Sequence, residues 1–559
     1  MKPITSLFLA LAAAPSLSWA AAMPKAPSVN TTTNGPQVDV GYAIYQGYYN
    51  DTFGLNVWKS IRYAAPPVGK LRWQAPQPPR SNCTNCITPA VTQPPVCPQT
   101  GAYGVPEIYG FNSGPGNEDC LYLNVYAPPG AKDLPVFVWI HGGGNSVFGA
   151  VYDPSVLMNT NDNGFITVEI QYRLGAFGYL ASPDIKAHGK LNAGLLDQRF
   201  ALKWVQDHIS RFGGDPTRVT VGGESSGAGS VLLQSVAYGG NGSNLFNNII
   251  AASPWEPAVH HYNDSLPTGN YAAFVKLAGC GKGSPSLSQH GSVFDCLVAA
   301  DSAVLQNASG TVSTTHGSWG TFGFTPVVDG DFIREIPSVL LRKTQVGGKR
   351  LLVGTNANEG VPLTNPYVST QSDFDRFISE SFPGLTADDV KSMNQIYQTQ
   401  NAKPGDNDTR FDTLGDSGPT ALTQSSMATG IQQEVFNIAA EVLFHCPAQW
   451  FAEAFSTGSR QAWKYQYSLQ PAFHGADLSA YWSVGAKLPS AGFRHAFQKI
   501  WGSFIIHDSP VISVSDAMAG AGNATVPSDP SCPSHMAWPQ YSLRSPTHMN
   551  LNTTGGRRA

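Results

Sequence analysis

The stretch Gly223-Glu224-Ser225-Ser226-Gly227 constrains this chain most. It follows the β-rich run Arg218-Val219-Thr220-Val221 and leads into Ala228-Gly229-Ser230-Val231-Leu232-Leu233, which suits a helix. A strand that turns into a helix within one residue strains the backbone of the turning residue. Only small residues two before and two after it let strand and helix approach. A Gly/Ser turn by itself is an ordinary loop, so the reading depends on what else the chain supplies.

The second element lies upstream. Leu134-Pro135-Val136-Phe137-Val138-Trp139-Ile140 reads as a buried strand and ends in His141-Gly142-Gly143-Gly144. Consecutive glycines allow backbone N–H groups to converge on one anionic oxygen. With the N–H of the residue after the turning serine, here Ser226, they make a site for a tetrahedral oxyanion. Gly143, Gly144 and Ser226 are the candidate donors.

Further segments carry a resemblance. Glu118-Asp119-Cys120-Leu121-Tyr122-Leu123-Asn124-Val125, Tyr172-Arg173-Leu174-Gly175-Ala176-Phe177-Gly178-Tyr179-Leu180, Asn192 to Gln198 and Phe212 to Pro216 stand in order along the chain. With the two glycine motifs, they make the chain resemble the type-B carboxylesterases, the cholinesterase-like branch of the α/β hydrolases, from about residue 41 to about residue 533. The resemblance implies an α/β-hydrolase fold: a mostly parallel central sheet, helices on both faces, and loop insertions that form a gorge. It also implies one catalytic domain over residues 21–559, although length alone would allow about three or four domains. The expected activity is hydrolysis of carboxylic esters through an acyl-enzyme.

The chain order Ser, then acid, then His selects the rest of a triad. The strand-like Arg350-Leu351-Leu352-Val353-Gly354 precedes Thr355-Asn356-Ala357-Asn358-Glu359-Gly360, which is similar to the family's acid loop. Pro471-Ala472-Phe473-His474-Gly475-Ala476-Asp477-Leu478 is similar to its histidine loop. Ser225, Glu359 and His474 are therefore the expected nucleophile, acid and base. Glu118, Arg173 and Asp197 resemble positions that form internal salt bridges, and Glu224 has no assigned role. No metal or organic cofactor is expected.

Departures from the family bear on substrate. The loop 98–119 lacks the Trp that receives a quaternary ammonium in cholinesterase-like members; Tyr103, Tyr109 and Phe111 are its aromatics. Asn145 stands where an aromatic is common and Ser226 where Ala is usual. Trp255, Phe322 and Phe324 are candidates for the acyl pocket, and Gly320 hints at room there. The same loop lacks an amphipathic helix, so soluble-ester action is expected over a lipase that works at an interface. A catalytically dead adhesion protein of the same fold is disfavoured by retention of all three triad residues.

Charged residues are 13% of the chain and the net charge is −4, which gives no reason to expect nucleic acid or an anionic membrane as partner. The expected partner is a small ester; oligomeric state is not legible. Residues 1–20 read as a signal peptide: Met1-Lys2, an apolar run, then Ser18-Trp19-Ala20. No membrane anchor is expected, and the protein should be secreted. Eight cysteines are present, and spacing alone fixes no connectivity. The resemblance suggests Cys97–Cys120, Cys280–Cys296 and Cys446–Cys532, leaving Cys83 and Cys86 for a local bridge. Sequons at Asn30, Asn50, Asn82, Asn241, Asn263, Asn307, Asn407, Asn523 and Asn552 suggest a glycoprotein.

Overall fold

The computed structural model describes residues 35–81, 86–242, 244–397, 430–469, 472–485, 488–519 and 534–552. The expected signal segment, Cys83 and Cys532 lie outside them. Ten strands form one open sheet: β1 (Tyr48–Asn50), β2 (Leu55–Arg62), β3 (Tyr122–Ala127), β4 (Leu134–Ile140), β5 (Ile166–Ile170), β6 (Gly214–Glu224), β7 (Asn248–Ala252), β8 (Arg350–Asn356), β9 (Gln461–Tyr467) and β10 (Met549–Leu551). Their spatial order is β10-β9-β8-β7-β6-β4-β5-β3-β2-β1. Every pair from β5 to β10 is parallel, and the β3-β2-β1 edge is antiparallel. The mostly parallel sheet expected from sequence is therefore present.

Both faces of the sheet are covered. Helices α1 (Ala193–His208), α2 (Ser226–Val236) and α4 (Cys446–Phe455) pack on one face, and α5 (Ala491–His507) packs on the other. The helix α3 (Ile431–Ala440) stands in a smaller cluster with Phe374 and Ile378. Double coverage explains why β4 is a continuous apolar run rather than an alternating one. Val136, Val138 and Ile140 enter the core under α1 and α2. Phe137 and Trp139 enter the opposite core, where Trp139 meets Trp482 at 5.0 Å and Trp501 at 6.0 Å between ring centroids.

The charged residues of the family-like segments are scaffold, as expected. Arg173 makes two 2.7 Å bonds to the carboxylate of Asp197, and both side chains are almost fully buried. Arg72 pairs in the same forked way with Glu118 and also donates to the carbonyls of Val298 and Ala300. A guanidinium buried in this way is tolerated because its fork is matched by a carboxylate and by carbonyl oxygens.

Two of the expected disulfides are formed, Cys97–Cys120 and Cys280–Cys296. Cys86 is disulfide-bonded, and the Cys83 end of the expected local bridge lies outside the described residues. The Cys532 end of the third expected pairing lies outside the described residues. Cys446, in the first turn of α4, carries a free thiol among the described residues.

Removing Asp197 leaves the Arg173 charge buried without a partner. Asp197→Ala should cost about 3–5 kcal/mol, read as a large fall in the thermal midpoint at fixed scan rate. A change equivalent to under about 1 kcal/mol would show that the pair carries little of the fold.

Candidate active site

The elbow is built as the glycine spacing requires. Ser225 sits between β6 and α2 with φ 58° and ψ −128°, a conformation that costs an L-residue free energy. A Cβ on Gly223 would lie 2.4 Å from the Gly227 carbonyl carbon, and one on Gly227 would lie 2.1 Å from the Ile140 oxygen. The strain is held by backbone bonds on both sides. The Ser225 N–H donates to Ala252, and its carbonyl accepts from Gly229 and Trp255.

Three segments far apart in sequence converge on this serine. His474 Nε2 is 2.8 Å from Ser225 Oγ, and His474 Nδ1 is 2.7 Å from Glu359 Oε2. All three residues are buried, with Ser225 still 5% and His474 7% exposed. Glu359 is further held by Ser253 Oγ and the Asn356 N–H, which both donate to Oε1. The Asn356 side chain also donates to Asp477. No motif marks Ser253, which directly follows β7.

The imidazole lies among carboxyl groups. Burial opposes its protonation, but Glu224, Glu359 and Asp477 outweigh that and raise its pKa. Glu224 Oε1 is 3.5 Å from His474 Nε2. Burial pushes the Glu224 carboxyl up to about 8 and Asp477 up to about 7. The face of His474 is covered by Phe444, with ring centroids 4.3 Å apart. Phe444 comes from a π-helical turn, Glu441–His445, inserted between α3 and α4. No motif marked it, since Leu443-Phe444-His445 reads as ordinary helix.

The glycine loop follows β4 and lies against the elbow. Gly143 and Gly144 take positive φ, 104° and 64°, and their N–H groups meet no acceptor among the described residues. Ser226 opens α2, where an N–H has no intrahelical partner. The two unusual residues join here: the Asn145 N–H donates to Ser226 Oγ at 3.1 Å. His141 is scaffold, stacked on Tyr172 and bonded to the Gly142 carbonyl, with burial lowering its pKa to about 4.

Of the candidate acyl-pocket residues, Trp255 and Phe322 meet edge to face at 5.3 Å. Phe322 leaves no space for a side chain at Gly144, where a Cβ would lie 2.2 Å from its ring. Both belong to a cluster with Ala102, Val105, Leu363 and Phe444. Phe324 is elsewhere, in the main core against Phe274 at 6.0 Å. Gly320 does not open the pocket: its φ is 78°, and a Cβ there would lie 1.9 Å from the Leu363 oxygen. Trp319, on a distant segment, packs over Gly104 of the loop that lacks its own Trp. That loop is a packed wall, with Ala102 bonded to Phe111, Tyr103 bonded to Thr321, and Phe111 against Phe322 at 5.8 Å.

Residues 34–558 match the carboxylesterase family. Lipase 4 of Diutina rugosa is 31% identical over 536 residues, covering 88% of this chain and 87% of that protein. Carboxylesterase patB of Penicillium expansum is 29% identical over 505 residues, covering 80% and 82%. Among solved structures, EstA of Aspergillus niger superimposes with a TM-score of 0.70 at 27% identity, covering 85% of this chain and 89% of that one. The fold is that of the α/β-hydrolase esterases, with a sheet that is not closed. The protein is a carboxylic ester hydrolase and belongs to the carboxylesterase family.

Proposed function

We propose that this protein is a secreted serine esterase that works through a Ser225–His474–Glu359 triad and an acyl-enzyme. The observation that carries the reading is the continuous chain of 2.8 Å and 2.7 Å contacts from Ser225 Oγ through His474 to Glu359. Ser225 passes its proton to His474 Nε2 as its oxygen attacks the acyl carbon. Glu359 holds the Nδ1–H tautomer and offsets the imidazolium charge. The N–H groups of Gly143, Gly144 and Ser226 receive the oxyanion, each typically worth about 3–4 kcal/mol of transition-state stabilisation. His474 then returns the proton to the departing alcohol, and water reverses the sequence to free the acid. Secretion is supported by the N-terminal apolar run and the two disulfides, which persist in oxidising compartments. One catalytic domain is supported by the extent of the family match.

A lipase is the second reading, favoured by the relative named Lipase 4. Against it stands the loop 98–119, which packs into the wall of the site and carries only one short 3-10 turn, Glu107–Tyr109. Nothing in it offers a detached amphipathic lid. Rates on dissolved short-chain esters should therefore saturate below the solubility limit. A steep rise when droplets form, with preference for long-chain emulsions, would make the lipase reading the better one.

Two further outcomes test the chemistry. A phosphonate should label Ser225 once, and Ser225→Ala should lose at least about 10⁴-fold in kcat; an adduct on Ser226 would refute the assignment. The second concerns pH. The base must be neutral, so activity is lost as pH falls through the pKa of His474. The surrounding carboxyl groups raise that pKa, so kcat/KM should rise through one ionisation above the usual imidazole value of about 6.5 and then level off. A limb centred below about 6.5 would contradict the carboxyl surroundings.

A further inference from the structure

The glycine loop lacks side chains to hold its own shape. Gly143 and Gly144 take φ 104° and 64°, and glycine leaves such angles open to rotation. Yet their N–H groups have to point at one oxygen if they are to hold an oxyanion. Contacts from outside the two glycines have to supply the restraint.

Two of these contacts are backbone bonds. The Gly143 carbonyl accepts from the Ser146 and Val147 N–H groups, both at 3.0 Å, which closes the turn. The Asn145 carbonyl accepts from the Gly175 N–H at 2.8 Å, which ties the far end of the loop to the segment after Tyr172. The remaining contact comes from a side chain. Ser226 Oγ accepts from the Asn145 N–H at 3.1 Å. That N–H shares a peptide plane with the Gly144 carbonyl, so the bond restrains the ψ of Gly144.

The same hydroxyl also meets Tyr172. The Tyr172 O–H donates to the His141 carbonyl at 2.7 Å, and the phenol is a side-chain hydrogen-bond partner of Ser226. A phenol has a single proton to give. Here it goes to His141, so Ser226 is the donor to Tyr172. The bonds therefore run from the Asn145 N–H to Ser226, from Ser226 to Tyr172, and from Tyr172 to the His141 carbonyl. They bracket the glycines at both ends. Asn145, Ser226 and Tyr172 are 3%, 1% and 0% exposed, so water does not compete for these bonds.

Resting on the triad reading above, we propose that the Ser226 hydroxyl is a positioning group for the oxyanion hole, locking the glycine loop to the first residue of α2. Ser226 then serves the hole twice. Its backbone N–H donates to the oxyanion, and its side chain keeps the glycine donors in register with that N–H. With its lone pair and its proton both engaged, this hydroxyl is not a second nucleophile beside Ser225.

The test is Ser226→Ala, with rates counted per site titrated by a phosphonate so that inactive protein drops out. On a soluble aryl acetate, kcat should fall about tenfold or more while KM changes by less than about twofold, because the loss is felt where the oxyanion forms. An alkyl trifluoromethyl ketone adds to Ser225 and places its oxyanion in the hole, so its Ki should rise by about the same factor. The matching trifluoromethyl alcohol cannot add, and its Ki should stay within about twofold. Tyr172→Phe removes the other end of the same bracket and should lower kcat and weaken the ketone together by about threefold or more. The double variant should lose less than the product of the two single losses. A per-site kcat within about twofold of the parent in Ser226→Ala would overturn the proposal. A fall in kcat that leaves the ketone Ki unchanged would overturn it equally, since the hydroxyl would then act outside the hole. Should Ser226→Ala yield no titratable sites, the two readouts on Tyr172→Phe decide by the same criteria. Failure of the phosphonate to label Ser225 in the parent protein would instead be a failure of the triad reading and would take the proposal with it.

Discussion

The parallel pairing of β4 with β6 is the constraint on which the site depends. It sets Ile140 opposite Gly223, so the chain leaves β4 into the glycine loop at the level where β6 turns into α2. The loop and the elbow are then adjacent because their strands are. This is why a Cβ at Gly227 would meet the Ile140 oxygen, and why the Asn145 N–H reaches Ser226. The acid and histidine loops arrive by the same rule, since β8 and β9 pair in parallel and both end on the same edge of the sheet. Parallel strands release their C-terminal loops together, and such loops are where α/β sheets gather chemistry.

How much of this was legible depended on whether a residue's role was local or came from distant packing. The elbow, the glycine loop and the Arg–Asp pairing partners sit in short segments whose spacing states their geometry. Ser225, Glu359 and His474 followed from chain order and resemblance together, and the structure brings the three side chains within hydrogen-bond reach. Phe444 was invisible, because its contact with His474 arises from a π-helical turn in a run that reads as plain helix. Trp319 was missed as a neighbour of the 98–119 loop, because more than two hundred residues separate it from Gly104. Phe322 and Phe324 are two apart and were read as one wall. That segment is not a strand, so period two does not hold, and the two rings enter different clusters. The expected Cys446–Cys532 bridge came from resemblance alone, and its Cys532 end lies outside the described residues.

The electrostatics of the site follow from crowding. Glu224, Glu359 and Asp477 all act on one imidazole in a buried space. Ionising every carboxyl there is costly: burial raises the pKa of Glu224 and of Asp477, and a protonated His474 draws both back toward the ionised form. Glu359 is the member that receives two donors on one oxygen and the histidine on the other, so it is the one best placed to carry the charge. Hydrogen bonding thus sorts three similar side chains into different roles.

The π-helical turn has a consequence for how this chain can change. An α-helix advances about 100° per residue, and a wider turn absorbs one extra residue within it. Here the turn lets Phe444 lie on His474 while His445 reaches the Asn356 carbonyl at the acid loop. Substituting either side chain alters one contact. Deleting a single residue within Glu441–His445 would convert the wide turn to a regular one and rotate α3 relative to α4. This stretch therefore accepts replacement far more readily than it accepts a change of length.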